Sequence, residues 1–73
     1  MRGANTNLAN LSDFGRVKCR AFLVSMLFGQ RDGMVRALSE MALEGNATDA
    51  AFADELASML EPSLAARVYR RTS

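Results

Sequence analysis

Few residues of this 73-residue chain have the types and spacing that catalysis needs. The chain has no histidine and a single cysteine, whereas acid–base and nucleophilic catalysis need tuned groups held close together. Asp54 and Glu55 are adjacent, so on a helix their side chains point about 100° apart and form no catalytic pair. One thiol cannot build a zinc site, and the glycines lack the Lys-Ser/Thr of a phosphate loop. We therefore expect a non-enzymatic protein without catalytic residues, metal or cofactor.

Cys19 is the one side chain with a reactive interpretation. It lies between Lys18 and Arg20, and nearby positive charge lowers a thiol pKa and makes the thiol more nucleophilic. The alternative is a small, buried apolar residue. We favour the buried interpretation.

Charge is distributed in blocks along the chain. Residues 1–36 hold six basic and two acidic groups, residues 37–63 hold six acidic and no basic groups, and residues 64–73 hold three arginines. Such blocks can orient a partner, or they can be solvated faces whose segregation is accidental. The basic residues that we predict to contact an acidic partner or a nucleic acid are Arg16, Lys18, Arg20, Arg67, Arg70 and Arg71.

Two patterns favour DNA binding as the alternative function. From Arg16 to Ala21 polar and apolar residues alternate, as in a strand, and two predicted helices joined by Gly45 follow. This order resembles a dimeric ribbon-helix-helix protein, although residues 25–33 are too long and apolar a connection. Residues 54–71 resemble a helix-turn-helix motif, but with Pro62 in the turn.

The stretch AFLVSMLF over residues 21–28 is the densest apolar run and lies in a predicted helix over residues 12–28. Ser12 is the predicted N-cap, and Gly29 is placed to end the helix. One narrow stripe is predicted to face the core: Phe14, Val17, Ala21, Val24 and Phe28. On the opposite side, the predicted interface with a second copy or a partner consists of Phe22, Leu23, Met26 and Leu27.

Three further helices are predicted after this one. They cover residues 34–44, capped by Asp32 and ended by Gly45, residues 48–60, capped by Thr48, and residues 63–71. Pro62 either begins the last of these helices or kinks the one before it. Their predicted inward residues are Met34, Val35, Leu38, Met41, Ala42, Phe52, Leu56, Met59, Leu60, Leu64, Val68 and Tyr69. We predict an all-α domain over residues 11–73, a small bundle of three to four short helices packed around the first helix and dimeric, with a flexible segment over residues 1–10.

The size and composition of the chain favour a protein that functions by association. A chain of this length buries only about 60% of its unfolded surface, so a second copy or a partner is expected to add stability. Residues 1–10 lack a secretory apolar core, and no stretch reaches the ~20 apolar residues of a membrane span, so we expect a cytoplasmic protein. The predicted function is a small regulator that binds and inhibits or adapts another protein, of a kind common in phages and mobile elements.

Overall fold

The computed structural model describes residues 10–73 and contains four helices in this range. They are α1 (Asp13–Leu27), α2 (Arg31–Glu44), α3 (Ala47–Ser58) and α4 (Pro62–Thr72). They form a bundle with a radius of gyration of 11.3 Å. The all-α prediction is confirmed. The predicted flexible segment lies, except for Asn10, outside the described residues.

Local chemistry explains most of the helix ends. The Ser12 side chain accepts a hydrogen bond from the Gly15 amide at 2.9 Å, which confirms the predicted N-cap of α1. Gly29 has a φ of +68° in the connection to α2, a conformation that suits glycine. Pro62 is the first residue of α4, where its missing N–H loses no helical hydrogen bond.

Two predicted caps are wrong. α2 begins at Arg31 with Gln30 as its N-cap, so Asp32 lies inside the first turn instead of capping the helix. The N-cap of α3 is Asn46 and not Thr48, because the Asn46 side chain accepts the Asp49 amide at 2.7 Å.

The bundle is organised around α2, and the prediction that α1 is central is wrong. α2 packs against each of the other three helices. Short connections on both sides of α2 let the chain fold back across it twice. The buried apolar residues of the core are Leu11, Phe22, Met34, Val35, Ala37, Leu38, Met41, Ala53, Ala57, Leu64 and Val68.

The side of α1 that faces the core is not the predicted stripe, although Leu23, Met26 and Leu27 are exposed as predicted. Val17, Val24 and Phe28 of the predicted core stripe are 56%, 50% and 74% exposed, whereas Phe22 is only 4% exposed. The inward face also contains Ser25, which lies against Gly33: a Cβ on Gly33 would lie 2.3 Å from the Ser25 hydroxyl oxygen. Small residues at this crossing let α1 and α2 approach closely, and this selects the face that contains Ser25.

In α3 the small residues are buried more deeply than several large ones. Ala53 and Ala57 are fully buried, whereas Met59 is 79% exposed. In α4 Leu64 and Val68 point inward as predicted, but Tyr69 is 41% exposed. The prediction that Met59 and Tyr69 face the core is wrong, because α3 reaches the core through Ala53 and Ala57 and α4 reaches it through Leu64 and Val68.

Candidate protein-binding site

An apolar groove lies between α1 and α3. Its volume is about 360 Å³. We call it the α1–α3 groove, and the residues that line it are Leu11, Arg16, Cys19, Arg20, Leu23 and Phe52.

The walls of the α1–α3 groove come from successive turns of one helix. Arg16, Arg20 and Leu23 follow one another at helical spacing along α1, and Phe52 closes the opposite side from α3. Leu11 is buried at one end. The groove is therefore lined by apolar side chains together with two exposed residues, Arg16 and Arg20, which we call its rim.

Cys19 lies in the wall of the groove but is not activated. Burial, and to a smaller extent the negative charge of Asp49, raise the pKa of the Cys19 thiol, so the thiol stays protonated at neutral pH. Its sulfur lies 4.0 Å from the sulfur of Met41 in α2. These contacts support the interpretation of Cys19 as a packed apolar residue.

A buried carboxylate fixes the position of α1 relative to α3. Asp49 is 0% exposed. Its oxygens accept hydrogen bonds from the Ser12 amide at 3.0 Å, from the Ser12 hydroxyl, and from the Asn46 amide at 2.9 Å. One side chain thus joins the N-termini of two helices, where a negative charge is favourable.

The pKa of Asp49 reflects two opposing influences. Burial is the largest and raises the pKa, but the hydrogen bonds from Ser12 and Asn46 together outweigh it and lower the pKa below its usual value. Gly15 leaves the space for this carboxylate, because a Cβ at Gly15 would lie 2.1 Å from an Asp49 oxygen. The first-turn position of Asp49 was predictable, but its burial was not.

The six predicted basic contact residues do not form one patch. Arg16 and Arg20 meet at the groove. Lys18 lies 2.5 Å from Glu40 and above the Phe14 ring. Arg67 forms an ion pair with Asp32, and Arg70 and Arg71 are exposed near the end of α4.

The ion pairs Arg67–Asp32 and Lys18–Glu40 each lower the pKa of their carboxylate. Hydrogen bonding to Arg67, followed by the Arg67 charge, lowers the pKa of Asp32. Hydrogen bonding to Lys18 is the largest influence on Glu40 and lowers its pKa. These pairs connect α4 to α2 and α1 to α2, so Lys18 and Arg67 have structural contacts within the described chain.

The predicted apolar interface is divided by the fold. Phe22 is buried in the core of the single chain, so its assignment to an exposed interface is wrong. Leu23 lines the α1–α3 groove, and Met26 and Leu27 are exposed. Met26 also borders a more polar cavity of about 620 Å³, together with Gly29, Arg31, Asp32, Met34, Glu61, Leu64 and Arg67.

Of the two patterns that suggested DNA binding, the structure contradicts the first and contains the two helices of the second. The ribbon-helix-helix arrangement needs a strand over residues 16–21, and this stretch is helical in α1, so that prediction is wrong. α3 and α4 do form two helices joined by a short turn. However, helix-turn-helix proteins contact bases with the N-terminal residues of the second helix, and the exposed arginines of α4 lie at its C-terminal end.

Within residues 10–73 no group of three or more metal-ligating side chains comes together, and none of the helices there is long and apolar enough to cross a membrane. No protein-family model, curated protein or solved structure matches this chain.

Proposed function

We propose that this protein is a small non-enzymatic regulator that binds an acidic, partly apolar segment of another protein in the α1–α3 groove. The observation that supports this proposal is the pairing of an apolar groove with two exposed arginines on its rim. Binding would inhibit or adapt the partner by covering the bound segment.

The size of the groove sets the size of the ligand. A volume of about 360 Å³ is at the lower end of the range for ligand sites, roughly 300–1,000 Å³. It suits one or two large side chains of a partner rather than an entire helix. Leu11, Leu23 and Phe52 provide apolar contacts for such an anchor, and anchors of this kind provide much of the binding energy at protein interfaces.

The charge of the rim sets the chemistry that flanks the anchor. Arg16 and Arg20 are four residues apart and therefore lie on the same side of α1. Guanidinium groups bind carboxylates through paired hydrogen bonds. The expected ligand segment therefore has a leucine or an aromatic residue with one or two aspartates or glutamates beside it, a combination known from acidic-motif recognition.

A displayed peptide library selected on the immobilised full-length chain tests this function. We expect the selected peptides to combine an apolar anchor with acidic neighbours, and Arg20→Glu to weaken their binding by at least about tenfold, the range for a truncated or reversed charge contact. Arg70→Glu makes the same charge change on α4, away from the groove, and should alter the affinity less than about threefold.

Three results would count against the proposal. They are selection of basic peptides, equal losses for Arg20→Glu and Arg70→Glu, and unchanged binding after Leu23→Glu. A parallel titration with duplex DNA distinguishes the alternative function. If the chain binds DNA with an affinity that falls steeply with salt, and if Arg70→Glu but not Leu23→Glu abolishes this binding, the function is DNA binding through α4.

A further inference from the structure

The outward face of α1 contains an apolar stripe with no contact to the rest of the described chain that would bury it. We call Val17, Ala21, Val24 and Phe28 the outer stripe. Val17, Val24 and Phe28 are at least half exposed, and Ala21 is exposed as well. Leu27, at 79% exposure, lies beside them. Contiguous apolar patches of this kind on soluble proteins mark interaction surfaces.

We propose that the outer stripe pairs with the outer stripe of a second copy of this chain, with the two α1 helices antiparallel. The outer stripe itself lies on a different side of α1 from the α1–α3 groove; Arg20 alone lies beside both surfaces. The pairing does not depend on the proposed function. It replaces the dimer interface predicted from the sequence, in which Phe22 was a member.

The spacing of the outer stripe is that of a two-helix seam. Its members follow one another at intervals of four, three and four residues, which is the repeat that keeps apolar residues at the contact line of a coiled coil. The outer stripe runs from Val17 to Phe28, the C-cap residue that follows the last residue of α1, and so covers nearly two such repeats.

The side-chain volumes favour the antiparallel direction. In that direction Phe28 of one copy lies opposite Val17 of the other, and Val24 lies opposite Ala21. Each of the four layers then combines a larger and a smaller side chain, as close packing requires. A parallel pair would instead place the two Phe28 rings opposite each other and the two Ala21 methyl groups opposite each other.

The charges favour the same direction. Arg20 flanks the outer stripe, and in the antiparallel pair it lies beside Leu27 of the second copy, in the last turn of that α1. The last turn of α1 contains no basic residue of its own. Cations are favourable there because the helix dipole places negative charge at the C-terminus, so each copy would provide the cation that the other lacks.

The area lies at the lower limit for a specific dimer. If a whole Val, Leu or Phe side chain exposes on the order of 150–200 Å², the exposed fractions of the outer stripe with Leu27 correspond to at most about 500 Å² per copy. Pairing two copies would bury up to about 1,000 Å², which is the lower limit for a specific interface. A weak dimer is therefore expected.

Sedimentation equilibrium of the full-length chain over a range of concentrations tests the pairing. We expect dimerisation, and a dissociation constant at least about tenfold higher for Val24→Glu, because each copy would place a carboxylate in the seam. Leu43→Glu is the matched control, since Leu43 is a similarly exposed apolar residue on α2, and its dissociation constant should match that of the unaltered chain. Circular dichroism should show all three chains folded.

Cysteine crosslinking tests the direction in a Cys19→Ser background. Mixed Val17→Cys and Phe28→Cys chains should form mainly disulfide-linked heterodimers, because only the antiparallel pair places these positions opposite each other. A predominance of the two homodimers would overturn the antiparallel arrangement.

A chain that remains monomeric at millimolar concentration, or a Val24→Glu chain that dimerises as well as the unaltered one, would overturn the pairing. The pairing would also be overturned if the chain were monomeric and bound vesicles of anionic phospholipid, and if Val24→Glu abolished that binding.

Discussion

α1 and α2 use their apolar residues in opposite ways. α1 contains the densest apolar run of the chain, yet much of that run is exposed, including Leu27 and Phe28. α2 has a more mixed composition, yet six of its 14 residues are buried. The difference shows that burial depends on the position of a helix in the bundle. α2 packs against all three other helices, whereas α1 packs mainly against α2.

The same substitution at one leucine of each helix should give the largest difference. Leu38 in α2 is fully buried and Leu27 in α1 is 79% exposed. Leu38→Ala removes packed methyl groups and leaves a cavity, so the free energy of unfolding should fall by about 2–5 kcal/mol. Leu27→Ala should change it by less than about 0.5 kcal/mol. Urea unfolding at low protein concentration measures both.

Low concentration matters in this comparison because Leu27 lies beside the proposed dimer seam. A loss for Leu27→Ala as large as that for Leu38→Ala, in a monomeric sample, would mean that α1 is covered on both sides. The contrast between the two helices would then be wrong.

The polar contact that holds the N-terminus of α1 should have the next largest effect. Asp49→Asn keeps the shape of the side chain but places an amide among the donors from Ser12 and Asn46, which need acceptors. Loss of these buried hydrogen bonds should lower the free energy of unfolding by about 1–3 kcal/mol at pH 7. Asp54→Asn, the same change at an exposed position of α3, should have little effect.

The Asp49 network also predicts the direction of the pH dependence. The pKa of Asp49 is lowered in the folded chain, so the unfolded chain binds more protons than the folded chain at acidic pH. The stability from Asp49 is present above the unfolded pKa of about 3.9 and is lost as the pH falls through the folded pKa. Asp49→Asn should therefore reduce the loss of stability between pH 5 and pH 2. Asp32 and Glu40 also have lowered pKa values, so part of the acid-induced loss of stability should remain in Asp49→Asn. If the free energy of unfolding of Asp49→Asn depended on pH in the same way as that of the unaltered chain, the role of Asp49 would be contradicted.

The comparison of α1 with α2 also shows what the sequence could predict. Helix positions were predictable because caps such as Ser12, and Pro62 at the start of α4, act through local hydrogen bonding and backbone geometry. The inward face of α2 was predictable because its apolar stripe contains Leu38 and Met41. The inward face of α1 was not predictable, because α1 has apolar residues on both sides.

The choice between the two sides of α1 depends on contacts that are distant in sequence. Gly15 lies against Asp49, and Ser25 lies against Gly33. Neither close approach can be recognised from hydrophobic periodicity, which treats glycine and serine as neutral. Arg16, Arg20 and Leu23 were predicted as contact residues, but their meeting beside Phe52 of α3 is a consequence of that same choice.

Substitutions in the connection between α1 and α2 should lower the free energy of unfolding by a smaller amount. Gly29 has a φ of +68°, and no other group lies within 4 Å of where its Cβ would be. Gly29→Ala should therefore destabilise the fold through backbone strain alone, by about 1 kcal/mol. Gly29→Asn should cost less, because asparagine tolerates this conformation better than alanine does. Equal unfolding free energies for Gly29→Ala and the unaltered chain would show that the connection adopts another conformation in solution.

The surface ion pair between the two helices should have the smallest effect. Lys18 of α1 lies 2.5 Å from Glu40 of α2, and both side chains are partly exposed. Lys18→Met keeps most of the aliphatic chain that lies over Phe14 and removes the charge. The free energy of unfolding should fall by about 0.2–1 kcal/mol, the range measured for partly exposed pairs, and the difference should diminish at high salt. A loss of several kcal/mol that persists in high salt would mean that this pair, rather than the Asp49 network and the packing of Phe22, holds α1 to the bundle.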